Sequence, residues 1–220
     1  MKTIVKPTHL EAGCNIANKG LGVLPDQVIT ILDGGAVMAG RRPICLVVWP
    51  FPDTGKPNAL SPANDLTARK VVARISHDQA KSLVSFAKKS GAKADPAFVL
   101  DGDTWLLDGT DMPMNGTLAK VESEGWYSQL LASLHLVRES QNKSFNFDLA
   151  LISDALAALK VCMRGTRLGK EEIIHATASF LESPSLGSVM LLTSYTQKEI
   201  ALAWIAPVYE PPGSAILLEF

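Results

Sequence analysis

Val71-Val72-Ala73-Arg74-Ile75-Ser76-His77-Asp78-Gln79-Ala80, continuing to Leu107, is the stretch from which the fold class reads. Val71 to Ile75 is apolar and β-branched, which predicts a strand. Ser76 is a good helix N-cap, and Gln79 completes a Ser-x-x-Gln capping box. Ala80, Leu83, Val84 and Ala87 then recur at helical spacing. Gly91 stands where a C-cap glycine would end that helix. Ala97 to Leu100 reads as a strand, Asp101-Gly102-Asp103 as a hairpin turn, and Thr104 to Leu107 as the returning strand. Asp108-Gly109-Thr110-Asp111 turns again, and Thr117 to Val121 predicts one more short strand.

Toward the C-terminus, Trp126 to Val137 has helical apolar spacing through Leu130, Leu131, Leu134 and Val137. Phe145-Asn146-Phe147 leads into a strong helix, Leu149 to Leu159. His175 to Leu181, Val189 to Tyr195 and Ile200 to Val208 read as strands, with Ala215 to Leu218 as a last short one. Toward the N-terminus, Thr8 to Asn18 fits a short helix that Gly13 weakens. Val28 to Leu32, the turn Asp33-Gly34-Gly35 and Ala36 to Ala39 fit a hairpin. Ile44 to Trp49 is a strand apolar on both faces. The proline-rich stretch from Pro50 through Pro62 excludes regular structure and reads as a linker or long surface loop.

Consecutive strands joined by tight turns imply antiparallel pairing, and helices set apart from them imply an α+β fold. The order from residue 71 is a topological duplication of a β-α-β-β-β unit, with helices laid on one face of antiparallel sheets. Two regions are expected: an N-terminal β-rich region over 1–65 and an α+β domain over 66–220.

With 47% hydrophobic and 20% charged residues, the 220-residue chain can bury a core without disulfides or metals. No apolar run reaches the ~18 residues of a membrane span. The first residues have no apolar h-region, so no signal peptide is expected. Cys14, Cys45 and Cys162 are odd in number and widely spaced, which argues against a disulfide framework and a zinc site. Buried free thiols in a reducing, cytoplasmic compartment are the expectation. A net charge of −1 is unlike a surface that coats nucleic acid throughout, yet it leaves room for a local basic face.

The stretch from Phe145-Asn146-Phe147-Asp148 through the helix to Ala157-Ala158-Leu159-Lys160 resembles the last helix of the bacterial DNA polymerase III beta subunit, a DNA sliding clamp. There, a strand ending in Phe-Asn runs into a helix ending in Ala-Leu-Lys. Ile75 to Lys89 is similar in placement to the first helix of a clamp domain, and Trp126 to Leu131 faintly resembles the segment before the last domain. The resemblance covers about residues 70–220. It departs from the family in lacking the C-terminal Met-Pro-Met-Arg-Leu motif, for which Ala206-Pro207-Val208 is the nearest substitute. The length suits the two-domain clamps that close as trimers. The resemblance implies a ring-forming homo-oligomer with no chemistry of its own and no cofactor. It would slide on duplex DNA through Lys and Arg contacts to phosphate, and take peptides from polymerases and other replication proteins. A phage or mobile-element origin is in keeping with such a two-domain clamp.

The candidate DNA-binding residues are Arg74, Lys81, Lys88, Lys89 and Lys93. Lys81 and Lys88 lie seven apart and share a helix face. A solvated helix face is the commoner role for such lysines. Asp148, Ser153 and Asp154 on the later helix would repel DNA. Arg164 to Lys170 is a basic, glycine-containing loop without a P-loop ending. Asp101, Asp103, Asp108 and Asp111 fit turn positions better than a calcium loop. His9, His77, His135 and His175 show no ligand spacing, and no nucleophile elbow accompanies them. Trp49, Trp105, Trp126 and Trp204 are expected in the core or at interfaces.

The leading expectation is a clamp-like processivity factor that is not an enzyme. The alternatives are a protein-interaction module of the same fold that does not encircle DNA, and a small enzyme with an unrecognised site.

Overall fold

The computed structural model describes residues 1–17, 28–41, 44–50, 69–89, 95–108, 114–117, 138–139, 147–164, 176–183, 187–195 and 199–205. Three helices are present among them: α1 (Pro7–Ala17), α2 (His77–Lys89) and α3 (Leu149–Met163). The strands before α2 are β1 (Lys2–Ile4), β2 (Val28–Leu32), β3 (Val37–Arg41), β4 (Ile44–Pro50) and β5 (Val71–Ser76). Those after it are β6 (Ala97–Asp101), β7 (Thr104–Asp108), β8 (Asn115–Thr117), β9 (Arg138–Glu139), β10 (Thr177–Ser183), β11 (Gly187–Tyr195) and β12 (Glu199–Ile205).

Local chemistry sets the helix starts. The Ser76 N–H donates to Gln79 Oε1 at 2.9 Å, and the Gln79 N–H donates to Ser76 Oγ at 3.2 Å. The capping box read from the sequence is therefore formed in both directions. Asp148 caps α3 by accepting from the Ala150 N–H at 2.7 Å. Pro7 opens α1, where its missing N–H costs nothing. The helix runs through Gly13, which sits close over Ile29 and Ala39.

All described strand pairs are antiparallel, and they build two sheets. One is four-stranded in the order β1-β6-β7-β8, and the other eight-stranded in the order β5-β2-β3-β4-β12-β11-β10-β9. The expected α+β class is present, as mixed helices and antiparallel sheets. Strands on either side of residue 65 pair with one another: β1 with β6, and β2 with β5. The β4–β12 pair, from Ile44 opposite Ile205 to Pro50 opposite Glu199, joins the early strands to the last ones.

α1 is the shared element. Leu10, Cys14 and Ala17 enter a core with Ile29, Ile31, Ile75, Leu83, Phe98 and Trp105. Ala12 and Ile16, on its other side, enter a second core with Leu151, Ala155, Ala158, Leu159, Met190 and Ile205. A helix buried on both flanks needs small and apolar residues nearly all round, which is what Ala12, Gly13, Cys14, Ile16 and Ala17 supply. The alanines of α3 let the two helices approach closely. Each fully buried leucine or isoleucine contributes roughly 1.5–3 kcal/mol.

Trp105 is buried, as expected, and packs on Phe98 with ring centroids 5.8 Å apart. Its indole lies over Gly116, where a Cβ would stand 2.8 Å from the ring. That contact fixes the register of Trp105 opposite Gly116, so β8 occupies Asn115–Thr117 rather than beginning at Thr117. The residues from 118 to 121 lie outside the described ones. So do the proline-rich stretch after Pro50, Gly91, the Trp126–Val137 helix and the Ala215–Leu218 strand. Side chains of Trp49 and Trp204 are not described.

The Asp33-Gly34-Gly35 turn is a single 3-10 turn tied down from three directions. Arg69 Nη1 donates to the Asp33 carbonyl at 2.7 Å, the Lys70 N–H donates to Asp33 Oδ1 at 3.0 Å, and the Gly35 N–H donates to Thr3 Oγ1 at 2.9 Å. Arg69 thus braces the hairpin with its guanidinium and Lys70 with its main chain.

Candidate nucleic-acid interface

α2 presents two faces. Ala80, Leu83 and Val84 are buried, as the helical spacing requires. Lys81, Ser82, Ser85 and Lys88 are exposed. Lys81, Ser85 and Lys88 recur at intervals of four and three, so they form one stripe along the outside. Asp78 begins that stripe at the helix N-terminus, where a negative charge is favoured by the helix dipole. Its carboxylate is 97% exposed and lies 3.4 Å from His77 Nδ1.

The stripe is not a run of isolated cations. Lys88 Nζ donates to Glu11 Oε1 at 2.8 Å, linking α2 to α1. Glu11 is the more buried partner, with 22% of its side chain exposed against 59% for Lys88. Cys14, one turn further along α1, feels both helices. Its thiol is pushed up to about 11, first by burial and then by Glu11, with Lys81 acting in the opposite direction. Glu11, Cys14, Lys81 and Lys88 therefore share one electrostatic neighbourhood between the helices.

The other candidates separate. Arg74 stands on β5 opposite Thr30 of β2. Their neighbours Ile29, Ile31, Ala73 and Ile75 belong to the core beneath α1 and α2. Alternation with Ala73 and Ile75 sends the Arg74 side chain out of β5 on the face opposite theirs. Lys89 is the last residue of α2, and its side chain is not described. Lys93 lies outside the described residues.

Of the acidic residues read on α3, Asp154 turns inward while Asp148 stays exposed at the helix start. Asp154 is buried, with 8% exposure, and Asp148 is committed to the N-cap. The outward side carries Leu149, Ser153, Leu156, Lys160 and Arg164. Leu149 is 80% exposed and Leu156 43%. Nearby, Phe147 meets the half-exposed Phe180 of β10 with ring centroids 5.9 Å apart.

The remaining polar candidates have structural partners or positions. Asp108 pairs with Lys2 at 2.8 Å. Asp101 and Asp103 flank Gly102 in the β6–β7 turn, where φ is +59°. His9 is buried in the first turn of α1, and its pKa is lowered to about 3 by desolvation and then by Lys6, with the Gly35 backbone acting in the opposite direction. No group of three or more His, Cys, Asp or Glu among the described residues is arranged to hold a metal ion. Asp111, His135, His175 and the loop from 165 to 170 lie outside the described residues. No described helix is long and apolar enough to cross a membrane.

Glu11 is the residue that sequence reasoning missed. Nothing local marks it, because its partner lies 77 positions away.

The fold and this face define a class: an antiparallel α+β protein with a basic stripe on one helix. No family model matches the sequence, and no curated protein matches it. Among solved structures, one described as "C-terminal region of FEN-1 bound to A. fulgidus PCNA" is similar, with a TM-score of 0.38 and 9% identity. The match covers 96% of this chain and 99% of that one.

Proposed function

We propose that the chain is a non-catalytic, clamp-like DNA-binding protein. It binds duplex DNA without sequence preference through the α2 face, and it associates with copies of itself and with replication proteins. The observation that carries this reading is the exposed Lys81–Ser85–Lys88 stripe on a helix whose opposite face is packed on antiparallel sheets. A cationic stripe on a rigid element meets phosphates without reading bases. The Phe145–Lys160 likeness to sliding clamps supports the same reading.

Fluorescence anisotropy with a short duplex at two salt concentrations tests it, alongside solution mass by light scattering. The wild-type protein is expected to bind at low salt and weaken steeply as salt rises. Lys81→Glu is expected to weaken binding at least tenfold. Equal affinity of wild type and Lys81→Glu, or no binding at low salt, would overturn the DNA-binding reading. A clean monomer would remove the ring.

The second reading, a protein-interaction module that does not encircle DNA, is favoured by one feature. Leu149 and Leu156 give α3 an apolar outer side that suits a protein partner better than phosphate.

A further inference from the structure

We infer that Glu11 is an internal competitor for phosphate, so that the α2 face engages a polyanion through Lys81 first and through Lys88 only once Glu11 is displaced. This rests on the reading of that face as an anion-binding surface.

The geometry is asymmetric in the way such a competitor requires. Glu11 is held between α1 and α2 and is the less exposed partner, while Lys88 is the more exposed one. The lysine therefore comes to the carboxylate, not the reverse. Its ammonium is already engaged at 2.8 Å, the distance of a charge-assisted hydrogen bond. A phosphate approaching Lys88 meets the Glu11 charge at the same point. Lys81, one face-repeat away on the same helix, has only the fully solvated Asp78 a turn before it and enters no described ion pair, and its charge reaches Cys14 instead. Two lysines that look equivalent along the helix are thus unequal in the fold. Glu11 sets how many of them count.

The consequence is read in the salt dependence of binding. Each phosphate neutralised adds about 0.9 to the slope of log affinity against log salt. Glu11→Gln removes the negative charge and keeps the side-chain shape. It is expected to steepen the slope by about 0.9, which makes the loss of affinity between about 50 and 200 mM salt roughly threefold larger than in wild type. At the lower salt the variant is expected to bind several-fold more tightly. Adding Lys88→Gln to Glu11→Gln should abolish the gain.

The experiment is duplex binding by anisotropy for wild type, Glu11→Gln, Glu11→Gln with Lys88→Gln, and Lys81→Gln. Each protein is first checked for cooperative urea unfolding from a fully folded baseline under the binding conditions. A second readout needs no DNA: the Cys14 thiol, titrated by its reaction with a small disulfide reagent, should ionise at lower pH in Glu11→Gln. If wild type binds and Lys81→Gln weakens it, but Glu11→Gln leaves the slope unchanged, the inference is overturned and the DNA-binding reading stands. If none of the four proteins binds at low salt, the DNA-binding reading falls and takes the inference with it.

Discussion

Lys88 Nζ lies 2.8 Å from Glu11 Oε1 and ties the end of α2 to the middle of α1. The pair crosses a helix–helix boundary and is partly exposed, so its contribution to stability is small. A double-mutant cycle with Glu11→Gln and Lys88→Gln is expected to give a coupling of about 0.2–1 kcal/mol in urea unfolding. A coupling of several kcal/mol would mean that the pair holds the helices together and is not available for exchange with a ligand.

The reciprocal capping box at the start of α2 has a larger effect. Ser76→Ala removes the acceptor for the Gln79 N–H and is expected to cost about 1 kcal/mol. Gln79→Ala, which removes the return bond to the Ser76 N–H, should cost less, because Ser76 still caps. Chemical denaturation of the two variants separates the terms. A Gln79→Ala effect larger than that of Ser76→Ala would contradict the assignment.

Two glycines with similar backbones make a controlled comparison. Gly34 has φ of +68° and Gly102 has φ of +59°, both in the left-handed region that costs an L-residue about 1–2 kcal/mol. A Cβ at Gly102 would meet nothing within 4 Å, whereas one at Gly34 would collide with the Arg69 guanidinium. Gly34→Ala must therefore also disturb the Arg69 bond to the Asp33 carbonyl. Its destabilisation is expected to exceed that of Gly102→Ala by about 1 kcal/mol or more, measured as the shift in urea midpoint. Equal shifts would show that Arg69 moves aside freely.

His9 makes stability depend on pH in a defined direction. Burial, then Lys6, lowers its pKa from 6.5 to about 3, so the folded chain holds fewer protons than the unfolded chain between those values. Stability from this group is complete above about pH 6.5 and falls as pH drops toward 3, by at most ~1.4 kcal/mol per unit. The wild-type urea midpoint is expected to fall more between pH 7 and pH 5 than that of His9→Gln. The difference between the two profiles isolates His9 from the carboxylates. Parallel profiles would mean that the imidazole titrates normally in the fold.

Thiol chemistry should follow burial. Cys162 is fully buried and its thiol is pushed well above the ordinary range by desolvation, while Cys14 reaches about 11. Neither is expected to react with iodoacetamide at neutral pH in the native protein, and Cys14 should react before Cys162 as pH rises. Peptide mass mapping assigns the sites. Early labelling of Cys162 would require α3 to open from the second core.

Much of the fold is legible locally. The capping box at Ser76 and Gln79, the apolar period of α2, the Gly102 turn and the apolar run that makes α3 are each written within a few residues. Such features arise from backbone sterics, side-chain caps and periodicity, which act between near neighbours. The α+β class follows from their order alone.

The site is less legible, because its properties depend on what distant segments bring alongside. Lys81 and Lys88 share a face by helical geometry, so the sequence places them together. Only the packing of α1 against α2 brings Glu11 to Lys88 and makes the two lysines unequal. Only the burial of Ala73 and Ile75 beneath the helices decides that Arg74, which alternates with them, leaves β5 on the other face. Only the docking of α3 turns Asp154 inward and leaves Leu149 and Leu156 outside. The β4–β12 pairing and the sharing of α1 between two cores have the same origin. Strand partners and helix neighbours far apart in the chain are chosen by burial of complementary surfaces, a property of the assembled fold that no local stretch encodes.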